Sequence, residues 1–552
     1  MTILFEEFPY DTAYLAQLLP ERYYWPVSPT QSKVPFVGYC HAKKEAVIIL
    51  PKVFLRGGRF LGDHHPNDLR QLGNHPGLRD KLKSEKRLDF LFTISTWLYL
   101  AIRQYQQRHP ANEVTEAVEL ATVVGKADKQ ATTELDWVLG LIRFYRDNQS
   151  LLTFIKKQSA SQQGKTNWGR TVARQLPLMS AKGQPAYAEP ESKQRVVNVD
   201  EELIILFLVV LDDLKTRYFL RLDLPDIYPL PGKTERTALL RNGLRRLQQI
   251  RYKYFTDRLV RLWELLWGYF AYAEKAAYGP PQPEVALIGN FNSVFEDMID
   301  QLLSDSEAID RFKKQKDGKE LDHIYDYQSL IAADHIYYIG DSKYYKDSTP
   351  LGQETIQKQY TYARNIIQYN IDLLNRNKLG DPLRYRDELT EGYNPTPNFF
   401  ISAAVNDQLT WTNPSLEFVK SIEPPNYHFT NRLFDRDTLI VQAYSINFLF
   451  VLSAYVSGNR SEQDRFRQQT RQLFRDKSIR HLNSRYVFWR ITPENASLES
   501  FISQYFRVLN GKMYRPSTFD ESILVAFLIH DDVPAEWALI QQEATVIKWF
   551  LD

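Results

Sequence analysis

A chain of 552 residues exceeds one typical domain and predicts two to four. Its 43% apolar content, with 33 tyrosines and 31 phenylalanines, provides for substantial cores, and 25% charged residues exclude wholesale disorder. A net charge of +2 excludes a strong global field for nucleic acid, and the single cysteine, Cys40, excludes a disulfide framework or a multi-cysteine zinc site.

Any nucleic-acid contact must therefore come from local basic patches. One cysteine fits a reducing cytoplasm. The opening residues, MTILFEEFPYD, are acidic and lack a signal-peptide layout. The longest apolar run, Leu203–Leu211, is far shorter than the roughly 20 residues that span a bilayer. The expectation is a soluble, cytoplasmic protein with no membrane partner.

Residues 1–80 read as β-rich, with VPFVGYC and AVIILPKVFL as strands punctuated by Pro and Gly. His64 and His65 read as part of a polar loop, since no third metal ligand accompanies them. Residues 84–109 predict a helix capped by Ser84, with Leu88, Leu91, Ile94, Leu98 and Ile102 at helical spacing. Residues 112–132 predict a short helix and a connection, and 135–157 one or two helices. A polar stretch follows, in which Trp168 stands out as a docking residue. Residues 178–198 are polar and without period.

Residues 199–277 are helical, with Asp200 as the expected N-cap. Within them, 241–261 carries Arg241, Arg245, Arg246, Arg251, Lys253, Arg258 and Arg261 against Asp257 alone. Tyr252, Tyr254 and Phe255 are interleaved. This segment reads either as a helix that contacts DNA backbone, through Arg245, Arg246, Arg251 and Lys253, or as a solvated or protein-docking face. YGPPQPEV at 278–285 is a clear break. The fold class expected is α+β and multidomain: 1–165 β-rich then helical, 166–284 a helical middle and linker, 285–552 a C-terminal domain. In the last part, 395–405, 486–491 and 522–530 read as strands or buried segments. Residues 431–456 read as a turn, a strand and an apolar element, and 461–480 as a charged helix.

Chemistry concentrates at HIYYIGDSKYYK, 335–346. A buried strand ends on Gly340 and then presents Asp341 and Lys343, two apart and so on one face. Upstream, KELDHIYDYQSLI predicts an antiparallel partner strand. Facing residues in such a pair have a constant number sum. Placing Asp322 opposite Asp341 centres the turn between Ile331 and Ala332, beside the AAD break. Asp326 would centre it between Ala333 and Asp334 and is the second choice, whereas Asp334 would centre it inside the strand and is rejected. In FNSVFEDMIDQLLSD, Phe295, Met298, Ile299, Leu302 and Leu303 form one apolar arc at about 100° per residue, with Glu296 at its margin. Downstream, Gln359 and Tyr362 share a flank of the helix predicted at 351–369.

Phosphodiester hydrolysis needs a metal to stabilise phosphoryl charge and activate water. Mg²⁺ (or Mn²⁺) takes hard oxygen ligands and keeps several waters, so Asp322 and Asp341, with Glu296, are the candidate metal ligands. Lys343 beside them can orient the water and meet developing negative charge. His323 should point to the opposite face and be structural. Asp435 and Asp437 read as turn-capping residues paired with Arg432 or Arg436, or as groups that approach the metal.

The order of Glu-bearing helix, Asp strand, D-x-K strand and helix is similar to the PD-(D/E)xK nuclease fold, with Leu321-Asp322 in place of Pro-Asp. More narrowly, IYYIGDSKYYK followed by KQYTYARN resembles the LlaJI-type, McrC-like restriction endonuclease subunits. So do DHIYDYQSL, TNWGRTVARQLP and HFTNRLFDRDTLIVQAYSINFL. The resemblance spans about 166 to 450. It implies an α/β nuclease domain with a mixed central sheet over 285–552, and a cytoplasmic anti-phage restriction enzyme that cuts DNA only with an AAA+ GTPase partner of the McrB type. It also implies an N-terminal region that docks on that partner, with a homodimer of nuclease domains as a further arrangement. By motif, Asp322, Asp341 and Lys343 would be catalytic, Glu296 a metal ligand or water-orienting acid, and Gln359 and Tyr362 supporting groups. Two other functions stay open: a non-catalytic adaptor that stimulates an AAA+ ring, and a stand-alone nuclease.

Overall fold

The computed structural model describes residues 2–552 apart from 42–45, 70–75, 86, 110–114, 118–132, 150–154, 160–164, 197–201, 219–221, 226–229, 279–283, 305–320, 346–351, 376–382, 423–430 and 532. The Asp200 cap and most of the helix expected at 112–132 lie outside the described residues.

Five short strands build the N-terminal sheet: β1 Thr2–Phe5, β2 Val37–His41, β3 Val47–Leu50, β4 Thr115–Ala117 and β5 Glu284–Ile288, in the order β1-β3-β2-β5-β4. β1 runs parallel to β3, and β2 is antiparallel to both β3 and β5. Thus 115–117, expected in a helix, is an edge strand, and β5, which begins at the end of the break at 278–285, pairs with it in this sheet.

Helix α1, Arg87–Arg108, packs on the sheet with Leu88, Leu91, Ile94, Leu98 and Ile102 all buried, as their spacing predicts. Ser84 does not cap it. That residue ends the preceding helix, Pro76–Ser84, and bonds back to the Lys81 carbonyl.

A second core lies among α2 Glu134–Asp147, α3 Glu202–Arg217, α4 Gly243–Ile250 and α5 Asp257–Tyr278, around Val138, Phe207, Leu211, Leu247 and Leu266. α3 is apolar nearly all round because it is enclosed by the other helices. The basic stretch 241–261 is not one helix. It is the end of a short helix, α4, a tight turn at Arg251–Lys253, and the start of α5. The break falls at Asn242-Gly243, where a Cβ on Gly243 would meet the Phe270 ring at 2.4 Å. Beyond α2, Ile155–Ser159 is a strand paired antiparallel with Ser192–Val196, which also pairs with Lys165–Thr166, so the end of the stretch expected to be helical at 135–157 is β-structure.

The C-terminal half opens with α6, Phe291–Leu303. Then come β6 His323–Gln328, β7 His335–Lys343, α7 Gln353–Asn375, β8 Thr396–Ala404, β9 Glu417–Ile422 and β10 Leu439–Asn447. The sheet order is β6-β7-β8-β10-β9. β7, β8 and β10 are parallel and the two outer strands antiparallel, so the sheet is mixed as expected. A parallel β7–β8 pair needs a crossover, which α7 supplies. Helices α8, Phe448–Ser457, and α9, Arg460–Arg485, back the sheet together with α6. A four-stranded antiparallel sheet closes the chain and includes Tyr486–Pro493 and Ile523–Leu528. One apolar core runs from Ile3 and Phe5 through Phe295 to Tyr338, Phe399 and Val441, joining the N-terminal sheet to the mixed sheet. Among the described residues, no helix is long and apolar enough to cross a membrane.

Candidate functional site

The β6–β7 hairpin pairs His323 with Gly340 and Gln328 with His335. The same register carried one residue further sets Asp322 opposite Asp341. Side chains alternate along β7, so Asp341 and Lys343 share one face while Ser342 and Tyr344 take the other. α6 packs on the second face, where Phe291 and Phe295 meet Tyr344, and α7 packs on the first. Gly340 is required by its neighbour. The Phe399 ring of β8 lies across it, and a Cβ there would fall 2.0 Å from that ring.

The Lys343 ammonium reaches both Asp341 oxygens, at 2.6 Å and 2.5 Å. The Ser342 backbone N–H donates to Asp322 Oδ2 at 3.2 Å. Burial pushes the Asp322 carboxyl well above the usual carboxylate range. Its hydrogen bond with Asp341 and the charges of Asp341 and Glu296 push it further up, while Lys343 opposes. In the absence of a cation the Asp322 carboxyl is therefore harder to ionise than a free one. For Lys343, burial alone would lower the pKa, but the adjacent Asp341 and then Asp322 raise it, so the ammonium is charged. Glu296 is half-buried on α6, accepts a hydrogen bond from Asn292, and acts on Asp322 through its charge.

The arrangement is two carboxyl groups in contact, an ammonium on the same face, and a third carboxylate acting from the neighbouring helix. Among the described residues, no group of three or more His, Cys, Asp or Glu side chains is arranged as a metal cluster. Two carboxylates suffice for Mg²⁺, which keeps much of its water shell, and the buried like-charge pair is a donor set that a divalent cation would relieve.

The alternatives weighed for Asp322 are placed elsewhere. Asp326 pairs across from Tyr337 and holds His335 Nδ1 at 2.8 Å, four residues and about 13 Å along the strand from Asp322. Asp334 is buried against Tyr514 and Ser517. His323 lies on the opposite face as expected, fully buried, with Nε2 2.5 Å from Ser342 Oγ and its ring stacked on Phe399.

Gln359 is 1% exposed and donates to the Ile339 carbonyl at 3.2 Å and to Asn398 Oδ1 at 3.1 Å, which makes it a brace between α7 and the sheet. Tyr362 is half-buried and packs against the main core. Asp435 accepts from Arg432 at 2.9 Å and from the Asp437 N–H at 3.1 Å, and Asp437 pairs with Arg364 at 2.8 Å. Asp435 follows the turn-capping reading, whereas the close partner of Asp437 is Arg364 of α7, with Arg436 farther away at 3.8 Å. Arg245, Arg246, Arg251 and Lys253 are exposed on the helical unit with its separate core, and Arg246 and Lys253 each lie 3.6 Å from Glu202. His64 is buried against Glu85 at 3.0 Å, a structural pairing. Sequence reading gave no role to Ser342, Asn398 and Phe399, which touch the site residues.

No family model and no curated protein matches this chain. Among solved structures, one similar chain belongs to the refined half-complex from a tetradecameric assembly of Thermococcus gammatolerans McrB AAA+ hexamers with bound McrC. It shares 12% identity, covers 85% of this chain and 99% of that one, and has a TM-score of 0.28. The site described above rests on strand register and side-chain geometry.

Proposed function

We propose that this chain is the nuclease subunit of a restriction system, hydrolysing DNA phosphodiesters when assembled with an AAA+ GTPase of the McrB type. The observation that carries the reading is Asp322 set against Asp341 across the hairpin, with Lys343 on the same face and hydrogen-bonded to Asp341. The partner and the restriction role come from the resemblance of the 335–369 segment and its companions to McrC-like subunits.

Asp322 and Asp341, with Glu296 beyond them, would hold Mg²⁺ or Mn²⁺. When bound, the ion supplies a Lewis acid at the scissile phosphate and lowers the pKa of water. The residues of the chain do the rest. The Ser342 N–H orients Asp322, the Phe399 ring packs against Gly340 beside Asp341, and Lys343 presents a fixed positive charge where phosphoryl charge grows. The test is DNA cleavage by the full chain with its AAA+ partner, GTP and Mg²⁺. Cleavage that survives Asp341→Asn unchanged rejects the reading.

A second reading, an adaptor that stimulates an AAA+ ring, is favoured by the helical unit, which has a core of its own apart from the site. The Asp341→Asn/Lys343→Gln double variant of the full chain separates the two roles. An adaptor function leaves it able to stimulate GTP hydrolysis by the ring.

A further inference from the structure

Tyr344 directly follows the last residue of β7. The paired register with β8 ends at Lys343 opposite Ser402, and Tyr344 lies just past it. Strand ends fray unless something else ties them down. Here the tie is distant in sequence. The Tyr344 hydroxyl donates a 2.6 Å hydrogen bond to Glu6 Oε2, 338 positions upstream. Glu6 also accepts from the Lys52 backbone N–H at 3.1 Å. The Lys52 ammonium lies 3.9 Å from Glu6, 3.2 Å from Glu7, and 5.1 Å from the centre of the Tyr344 ring.

Glu6 and Lys52 sit just past the C-terminal ends of β1 and β3, the parallel pair of the N-terminal sheet. Glu6 is 4% exposed and Tyr344 2%. The Tyr344 ring also packs on Phe291, Phe295 and Phe448. Phe295 is the residue before Glu296. A buried carboxyl group just past the first strand is therefore joined to the immediate neighbours of both Lys343 and Glu296. A hydrophobic pair would serve packing alone as well. A carboxylate taken out of water needs its donors held in place, so this contact is directional and specifies one arrangement.

We propose that Glu6 and Tyr344 are a positioning pair, through which the N-terminal sheet holds the end of the active-site strand and so the location of Lys343. Its catalytic consequence rests on the nuclease reading above. Neither residue touches the reacting atoms.

The experiment uses the full chain with its AAA+ partner and compares wild type, Tyr344→Phe, Glu6→Gln, the double variant and Asp341→Asn. Melting temperature checks that each folds, and Tyr344→Phe keeps the ring that packs on Phe291 and Phe295. Two quantities are read: kcat and KM for DNA cleavage, and amide hydrogen exchange over residues 341–345. The expected result for Tyr344→Phe is a fall in kcat of about ten-fold with KM unchanged, and exchange over 341–345 faster by about ten-fold. Glu6→Gln keeps an acceptor and falls between the wild type and Tyr344→Phe. The double variant is no worse than Tyr344→Phe, because the two residues act as one unit.

Wild-type kcat in Tyr344→Phe while Asp341→Asn is inactive overturns the positioning role, and additive losses in the double variant overturn the pairing. Should Asp341→Asn cleave like the wild type, it is the nuclease reading that fails. The exchange measurement still decides the pair, since unchanged exchange in Tyr344→Phe overturns it.

Discussion

Asp322 lies one residue beyond the β6–β7 ladder, directly opposite Asp341, and the two carboxyl groups are hydrogen-bonded to each other. Burial raises the Asp322 pKa in the folded protein. Between the ordinary carboxylate value and that raised value, the folded chain keeps a proton that the unfolded chain has released. Stability is therefore full at acid pH, below the unfolded pKa, and is lost as pH rises through the folded value. In metal-free buffer, Asp322→Asn should melt higher than the wild type at pH 8, with the gap closing toward pH 4. Thermal melts across that range check it, and a constant gap contradicts it.

A divalent cation should reverse the cost of that pair. Mg²⁺ at about a hundred times its dissociation constant adds about 2.7 kcal/mol to a protein that binds it only when folded. The wild type should melt higher with added Mg²⁺ or Mn²⁺, while Asp341→Asn and Asp322→Asn should not. Equal shifts in all three proteins would place the cation elsewhere.

Gly340→Ala should harm the site without touching a charged group. The added Cβ would fall 2.0 Å from the Phe399 ring, which also lies against the His323 ring. Overpacking of this kind costs about 1–3 kcal/mol. Phe399→Leu in the same chain should restore part of both stability and cleavage, measured by denaturant unfolding and by rate.

Gln359→Leu should act as a structural lesion. It removes the donor to the Ile339 carbonyl and to Asn398, both buried, at a cost of about 1–3 kcal/mol. The cleavage rate at saturating Mg²⁺ should keep its wild-type pH profile. A displaced profile would give Gln359 a direct role in the chemistry.

Much of the site was legible because an antiparallel hairpin has arithmetic. Once the AAD break marks the turn, the number sum places Asp322 against Asp341, and alternation assigns Lys343 to their face and His323 to the other. The apolar spacing of α1 and α6 was legible for the same reason, since periodicity records burial. Ser84 failed as a cap because its neighbours also support the end of the preceding helix. The basic stretch failed as one helix because it is interrupted at Asn242–Gly243, where the distant Phe270 ring lies against Gly243, and again at Arg251–Lys253. Gln359 reads as a ligand-facing residue on a helical wheel, but a wheel does not reveal the Ile339 carbonyl below it. The Glu6–Tyr344 bond spans 338 positions, and no local pattern announces it.

The central claim is that Asp341 and Lys343 carry phosphodiester hydrolysis. Its most direct test is the single-turnover rate of DNA cleavage by the full chain with its AAA+ partner, GTP and Mg²⁺, for the wild type, Asp341→Asn and Lys343→Gln. The account predicts losses of about a hundred-fold or more in each variant, with melting temperature and stimulation of GTP hydrolysis retained. Cleavage by either variant at the wild-type rate would contradict it.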